Sequence, residues 1–400
     1  MNGLVRLRQV ADVFNGKTPS KADQRSVGHP VLKIRDVDDN GRYRGHHESF
    51  VEPELAARYQ SKWVLPGDTL ILNAAHNAAY VASKSSYVDL QMAGALATGE
   101  WLVVRPNPEV VLPAFVNFWL RCPIAKDAIR FLVKGIHLYP KDVAELELEL
   151  PGMEHQRRIV ELLSRANSIV HLRREARQKA AELTPAIFVE MFGDPATNPL
   201  NWPMVSLGEV AEVQGGLQVS RARDNLPIER PYLRVANVHR GRLDLEEVKT
   251  IRLTEAEFSR TRLARGDLLF VEGHGNPLEV GRVAIWGNEI ANCTHQNHLI
   301  RARVDASRLR PAFACSYLNS AGGRQALLRS GKTTSGLSTI STSNVKSAPI
   351  ALPPLQLQLA FERHVAAIEG IVAQQQGATE RAAAAFAALL GSLFPAHQSA

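Results

Sequence analysis

The chain has 400 residues, a net charge of +7 and only 3 cysteines. That length makes room for ~2–3 domains of ordinary size, and 45% apolar with 22% charged residues excludes disorder as the state of the whole chain. No run of ~18 apolar residues offers a membrane-spanning helix, and the scattered, odd-numbered Cys122, Cys293 and Cys315 argue against a disulfide framework and for a reducing cytoplasm.

In chain order, short apolar runs punctuated by Gly, Pro and Asn come first. Residues 30–34, 69–72 and 101–104 read as strands, and 114–120 as a short helix. After Pro151 a long helix is expected. Ile159, Leu162, Ala166, Ile169, Ala176, Ala180, Leu183 and Ile187 recur at helical spacing, with a polar break at Arg173. Gly193-Asp194-Pro195 ends it. The pattern then restarts, with a strand at 268–271 and a helix at 312–318. A second long helix follows Pro353-Pro354, carrying Phe361, Val365, Ile368, Val372, Thr379, Ala382, Phe386, Leu389 and Leu393.

The restart is a repeat. Val5-Arg6-Leu7-Arg8-Gln9-Val10-Ala11-Asp12-Val13 matches Val205-Ser206-Leu207-Gly208-Glu209-Val210-Ala211-Glu212-Val213. Gly67-Asp68, Pro113-Ala114-Phe115, Leu150-Pro151 and Gln156 recur in order as Gly266-Asp267, Pro311-Ala312-Phe313, Leu352-Pro353 and Gln358. A steady offset near 200 means two long copies, not a solenoid. The expected fold class is α+β: two globular mixed α/β units in a pseudo-two-fold arrangement, separated by two long antiparallel, coiled-coil-like helices. The expected domains are 1–150, a spacer helix and linker at 151–202, a second unit at 203–350, and a C-terminal spacer helix at 351–400. Residues 203–350 carry 20 basic and 14 acidic groups. The charge excess therefore sits in a globular unit, which disfavours a basic tail as the anion-binding element.

Catalytic motifs are not apparent. Gly16-Lys17-Thr18 and Gly331-Lys332-Thr333 lack the first glycine of a P-loop. Asn276-Pro277-Leu278-Glu279 is not the Asn/Asp-Pro-Pro-aromatic loop of an adenine methyltransferase. Asp244, Glu247 and Lys249 faintly echo a metal-dependent nuclease, and Cys293, His295 and His298 are too irregular for a zinc site. No cofactor, metal or catalytic residue is expected on this chain.

The sequence resembles the DNA-specificity subunit of type I restriction-modification systems. The resemblance rests on Gly16-Lys17-Thr18-Pro19-Ser20, Tyr232-Leu233-Arg234-Val235-Ala236-Asn237-Val238 and Gln296-Asn297-His298-Leu299. It also rests on Leu150-Pro151-Gly152-Met153-Glu154-His155-Gln156 and on the junction Met191-Phe192-Gly193-Asp194-Pro195 running into Asn201-Trp202-Pro203. It implies a non-catalytic subunit whose two target-recognition domains each read half of a split double-stranded DNA site. It implies partners too: two methyltransferase subunits carrying the S-adenosylmethionine, and a restriction/translocase subunit. A metal-dependent nuclease, or a helical scaffold unrelated to DNA modification, are the alternatives from other classes.

Polar loop residues are the candidates for DNA contact, since phosphate contacts position and base-edge contacts specify. In the first unit these are Lys17, Thr18, Ser20, Lys21 and Arg25; Asn73, His76 and Asn77; and Lys134, His137 and Tyr139. In the second they are Arg221, Arg223, His239, Arg240, Arg242, His274, Asn276, Gln296, His298, Lys332, Thr333 and Ser335.

Overall fold

The computed structural model describes residues 3–329, 332–334 and 337–395, with 332–334 and 337–338 described as backbone. Two compact units emerge. Unit 1 joins residues 3–174 to the C-terminal segment from Gly377, and unit 2 comprises residues 175–376.

In unit 1 a four-stranded antiparallel sheet runs in the order Ala11–Asn15, Trp101–Pro106, Thr69–Leu72, Ser85–Tyr87. The two middle strands are buried along nearly their whole length, which is why they read as unbroken apolar runs instead of alternating ones. A smaller sheet places His29–Leu32 between Phe50–Val51 and Leu96–Ala97. Gly3–Arg6 pairs with Glu147–Leu150 and so closes the unit before the first long helix begins.

Unit 2 repeats this plan strand for strand. Its four-stranded sheet is Ala211–Gly215, Leu299–Val304, Leu268–Val271, Val283–Ile285. Its smaller sheet is Lys249–Leu253, Ile228–Leu233, Thr294–His295, and Met204–Ser206 pairs with Pro349–Ala351. Register is kept as well: Val13 faces Val104 as Val213 faces Ala302.

Three twinned side chains hold both copies. Asp68, buried at 1% exposure, accepts two bonds from Arg105 at 2.7 and 2.9 Å, and Asp267 accepts the same pair from Arg303 at 2.7 and 2.8 Å. Each carboxylate also accepts a backbone N–H, from Leu65 or Ala264. Gln156 accepts the Leu112 N–H at 2.9 Å and donates to the Pro151 carbonyl at 2.8 Å. Gln358 does the same between Arg310 and Pro353, at 2.8 Å each. These glutamines tie the start of each long helix to the helix that begins at Pro113 or Pro311.

The long helices span Met153–Phe192 and Leu355–Leu393. Each starts on its own copy and ends in the other unit. In unit 2 the rings of Phe188 and Phe192 pack on Phe313 and Phe361, with centroids 4.7–5.5 Å apart. In unit 1 Phe394 packs on Phe115 at 5.3 Å and Phe386 on Phe118 at 6.3 Å. Leu390 joins Ile159 and Leu163 in that core. Every unit is thus completed by the tail of the other repeat's helix.

The stripe expected on the first helix is partly displaced. Leu162, Ile169 and Leu183 are about half exposed, whereas Leu163, Val170 and Phe188 are buried. Two apolar rows share this helix, and the packed row lies one residue further on. On the second helix Phe361 and Ile368 are buried as the stripe requires.

The junction after the first helix has a local cause. Gly193 adopts φ +78°, a left-handed conformation that glycine tolerates. A Cβ there would stand 2.5 Å from the Pro199 ring. Trp202 then donates its indole N–H to the Phe192 carbonyl at 3.0 Å.

Candidate nucleic-acid interface

At the end of each large sheet two backbones approach so closely that only glycine fits. A Cβ on Gly16 would stand 2.3 Å from the carbonyl oxygens of Ala97 and Thr98. One on Gly216 would stand 2.2 Å from the Gln296 oxygen and 2.4 Å from that of His295. This approach brings four polar segments together in each unit.

In unit 1 the Lys17 N–H donates to Ala97 O at 2.8 Å, and Thr18 Oγ1 accepts the Gly99 N–H at 2.9 Å. Asn73 N–H donates to Glu100 O at 2.9 Å, and Leu138 N–H to Asn73 O at 2.8 Å. Ala74 bridges His137, whose tight turn is closed on Lys134. In unit 2 Leu217 N–H donates to His295 O and Asn297 N–H to Leu217 O, at 2.9 and 2.8 Å. Glu272 N–H donates to His298 O, and Ile340 N–H to Glu272 O, at 3.0 and 2.8 Å. Here the four-residue turn of unit 1 is replaced by a hairpin, Lys332–Thr334 with Leu337–Thr339, whose second strand pairs with Gly273–His274.

Lys17, Thr18, His76, Asn77, Lys134 and His137 therefore stand on or beside the converging segments of unit 1. His274, Asn276, Gln296 and His298 do so in unit 2, with Lys332 and Thr333 on its hairpin as backbone. Ser335 lies outside the described residues. Tyr139 is half-exposed with its ring 6.3 Å from that of His137, and Lys134 pairs with Asp142 at 2.6 Å. His239, Arg240 and Arg242 sit on a separate hairpin, Val238–His239 with Arg242–Leu243. Burial and then the nearby charges of Arg242 and Arg282 lower the His239 pKa. Arg221 and Lys21 are exposed on short turns.

Several expectations need correction. Asn73 is 3% exposed and donates to Asn15 Oδ1 and Gly99 O at 2.8 and 2.9 Å; it shapes its loop and does not face solvent. Arg223 is held by Glu257 at 2.9 Å and by the Gln218 carbonyl at 2.6 Å, so it braces the sheet side of its loop. The Arg223 contact, with the Thr254 N–H, lowers the Glu257 pKa to about 2. Arg25 pairs with Glu52 at 2.9 Å and its backbone bonds to Phe50, which ties it to the smaller sheet. Ser20 donates to Asp23 at 2.7 Å. Asn77 and Asn276 each accept a backbone N–H two residues on, at 3.0 Å, and so fix twin turns. Sequence reasoning missed Lys84 and Arg282, which donate to the carbonyls of Val37 and Val235, both at 3.0 Å. Their separation of 198 residues, within the spread of the repeat, was the available signal.

The converging loops offer ammonium, imidazole, hydroxyl and amide groups, the equipment for phosphates and base edges. Among the described residues no cluster of three or more His, Cys, Asp or Glu could hold a metal ion, and no helix is long and apolar enough to cross a membrane.

The family model for the type I restriction modification DNA specificity domain matches twice, at residues 3–182 and 199–360. The chain belongs to this DNA-specificity family. It is 23% identical over 353 residues to the type I restriction enzyme EcoKI specificity subunit of Escherichia coli K12, covering 84% of this chain and 74% of the relative. It is 21% identical over 351 residues to the StySPI specificity subunit of Salmonella potsdam, with the same coverage. A solved chain from a type I restriction-modification assembly shares the fold, with a TM-score of 0.57 at 18% identity, over 98% of this chain and 97% of that one. The family match falls once on each repeat, so the specificity domain occurs twice in the α+β chain.

Proposed function

We propose that each unit reads one half of a bipartite duplex target, and that the long helices dock two adenine-N6 methyltransferase subunits, through which a restriction/translocase subunit joins. The observation that carries this reading is the duplicated loop cluster. The same backbone bonds recur in both copies, yet the side chains they present differ: Thr18, His76 and His137 in one, Gln296, His298 and His274 in the other. One scaffold with two sets of donors suits two different half-sites.

Docking is supported by the exposed row of Leu162, Ile169, Leu172 and Leu183 on the first helix, and by Leu357 and Ile371 on the second. Aliphatic rows left at the surface of long helices suit partner helices. The methyl donor and the chemistry then belong to the partner, and this chain acts as a non-catalytic subunit in the cytoplasm. The nuclease alternative is weakened because its acids are already paired. Glu247 accepts from Arg234 at 2.6 Å, and Asp244 accepts the Glu246 N–H at 3.1 Å.

The test is adenine-methylation mapping of cells expressing the partner methyltransferase with and without this chain. A split motif that appears only with the chain is expected. An unchanged methylation map overturns the proposal.

A further inference from the structure

The turn Asn276–Glu279 of unit 2 is restrained far more than a surface turn requires. Arg240, from the 238–243 hairpin, donates to the Leu278 carbonyl at 3.0 Å. Arg324, from the helix Ala321–Leu328, donates to the Pro277 carbonyl at 3.0 Å. Arg282, the residue before the strand Val283–Ile285, is 5% exposed and pairs with Glu279 at 2.8 Å. Three guanidinium groups, two of them from remote elements and one from the same loop, therefore converge on three consecutive residues. Asn276 caps the turn from within, and His274 Nδ1 accepts the Asn276 N–H at 3.0 Å.

The side chain at the apex of this clamp is apolar. Leu278 is 64% exposed. A single exposed leucine is ordinary on a protein surface, but this one has its carbonyl held by Arg240 and its two chain neighbours held by Arg324 and Arg282. Its turn continues from His274, which pairs with the hairpin of the loop cluster. Fixing a contact residue before binding lowers the ordering cost of the complex. The twin turn of unit 1 has the same Asn77 cap, and its residue equivalent to Leu278 is Ala79.

We infer that Leu278 is a base-reading residue that packs on the 5-methyl group of a thymine in the half-site of unit 2, with Arg240, Arg282 and Arg324 as its positioning residues. The inference rests on the DNA-reading function proposed above. Apolar contact is how proteins recognise the thymine methyl in the major groove. Because unit 1 offers only Ala79, the contact belongs to one half-site.

The assembled complex with its methyltransferase partner is titrated against duplexes carrying the mapped target, with each thymine replaced singly by uracil. Wild-type chain, Leu278→Ala and Leu278→Met are compared. Removal of one methyl, in one half-site only, should weaken wild-type binding about fourfold, the worth of one buried methyl-sized group. Leu278→Ala should lose that sensitivity and keep its affinity for a scrambled duplex, and Leu278→Met should retain the sensitivity. Three results overturn the inference: wild type indifferent to every uracil, Leu278→Ala as sensitive as wild type, or Leu278→Ala failing on scrambled DNA too. Failure of the wild-type complex to prefer its target over scrambled DNA would instead sink the DNA-reading function on which the inference rests.

Discussion

The two units build the same sheet around different interiors. In unit 1 the positions Leu96, Ala97 and Val103 are apolar and fully buried. Their counterparts by strand register in unit 2 are Thr294, His295 and Arg301, which are equally buried. Arg301 donates to Glu212 at 2.6 Å and to the carbonyls of Arg260 and Arg262 at 3.3 and 3.2 Å. Thr294 donates to Thr261 at 2.6 Å, and the His295 ring faces the Thr261 carbonyl. The backbone plan is therefore set by features common to both copies: the twinned Asp–Arg pairs, the twinned glutamines and the close approach at Gly16 and Gly216. The sheet interior is free to be oily or polar, provided every buried charge finds a partner.

Shared features should break both units alike and unshared ones should separate them. The largest effect is expected from the aromatic tails. Phe192→Ala should destabilise unit 2 by about 4 kcal/mol and Phe394→Ala unit 1 by about 3 kcal/mol, within the range for buried phenylalanine. Hydrogen exchange resolved by unit should show each loss confined to the unit that holds the ring. Exchange that rises equally in both units would refute the crossed-tail arrangement.

Asp68→Asn and Asp267→Asn should each cost about 2 kcal/mol, because the buried amide nitrogen that replaces one carboxylate oxygen cannot accept from the arginine or from the Leu65 or Ala264 N–H. Denaturant midpoints of the two variants should agree closely. A large difference would show that the pair is not equivalent in the two copies.

Acid should separate the units. Burial, reinforced by Arg301, lowers the His295 pKa from 6.5 to about 4. A depressed folded-state value means that the contribution to stability is complete above pH ~6.5 and is lost as pH falls toward about 4. Between those values unit 2 should weaken relative to unit 1, where Ala97 cannot titrate. Exchange measured at pH 7 and pH 5 reads the difference, and equal weakening of both units would remove His295 as its cause.

The smallest effect concerns a backbone twin. Ala82 has φ +62° where unit 2 has Gly281 at φ +73°. Ala82→Gly should leave unit 1 unchanged or stabilise it by up to about 1 kcal/mol as left-handed strain is relieved. Gly281→Ala should destabilise unit 2, since its Cβ would also stand 3.0 Å from Leu327. A lower thermal midpoint for Ala82→Gly, or an unchanged or higher one for Gly281→Ala, would show that the two turns are not strained alike.

Much of this comparison is legible in the sequence, for physical reasons. Strands Thr69–Leu72 and Leu268–Val271 coincide with the apolar runs because both faces of each strand are covered. The glutamines and aspartates recur because each satisfies backbone donors that every copy must bury. The first helix misleads because Leu162 and Leu163 are equally apolar, and periodicity does not say which row meets the core. Asn73 misleads because its partner Asn15 is 58 residues away. The clamp on Leu278 is invisible for the same reason: Arg240 and Arg324 are remote in sequence, and only the fold brings them to one turn.

The central claim is that the two loop clusters read separate half-sites. Methylation mapping with Lys17→Ala/His76→Ala and with Gln296→Ala/His298→Ala, each beside wild type, tests it most directly. The first pair should relax one half of a split motif and the second pair the other half, with the spacing between halves preserved. A continuous motif, or one in which both halves relax together with either pair, would contradict the account.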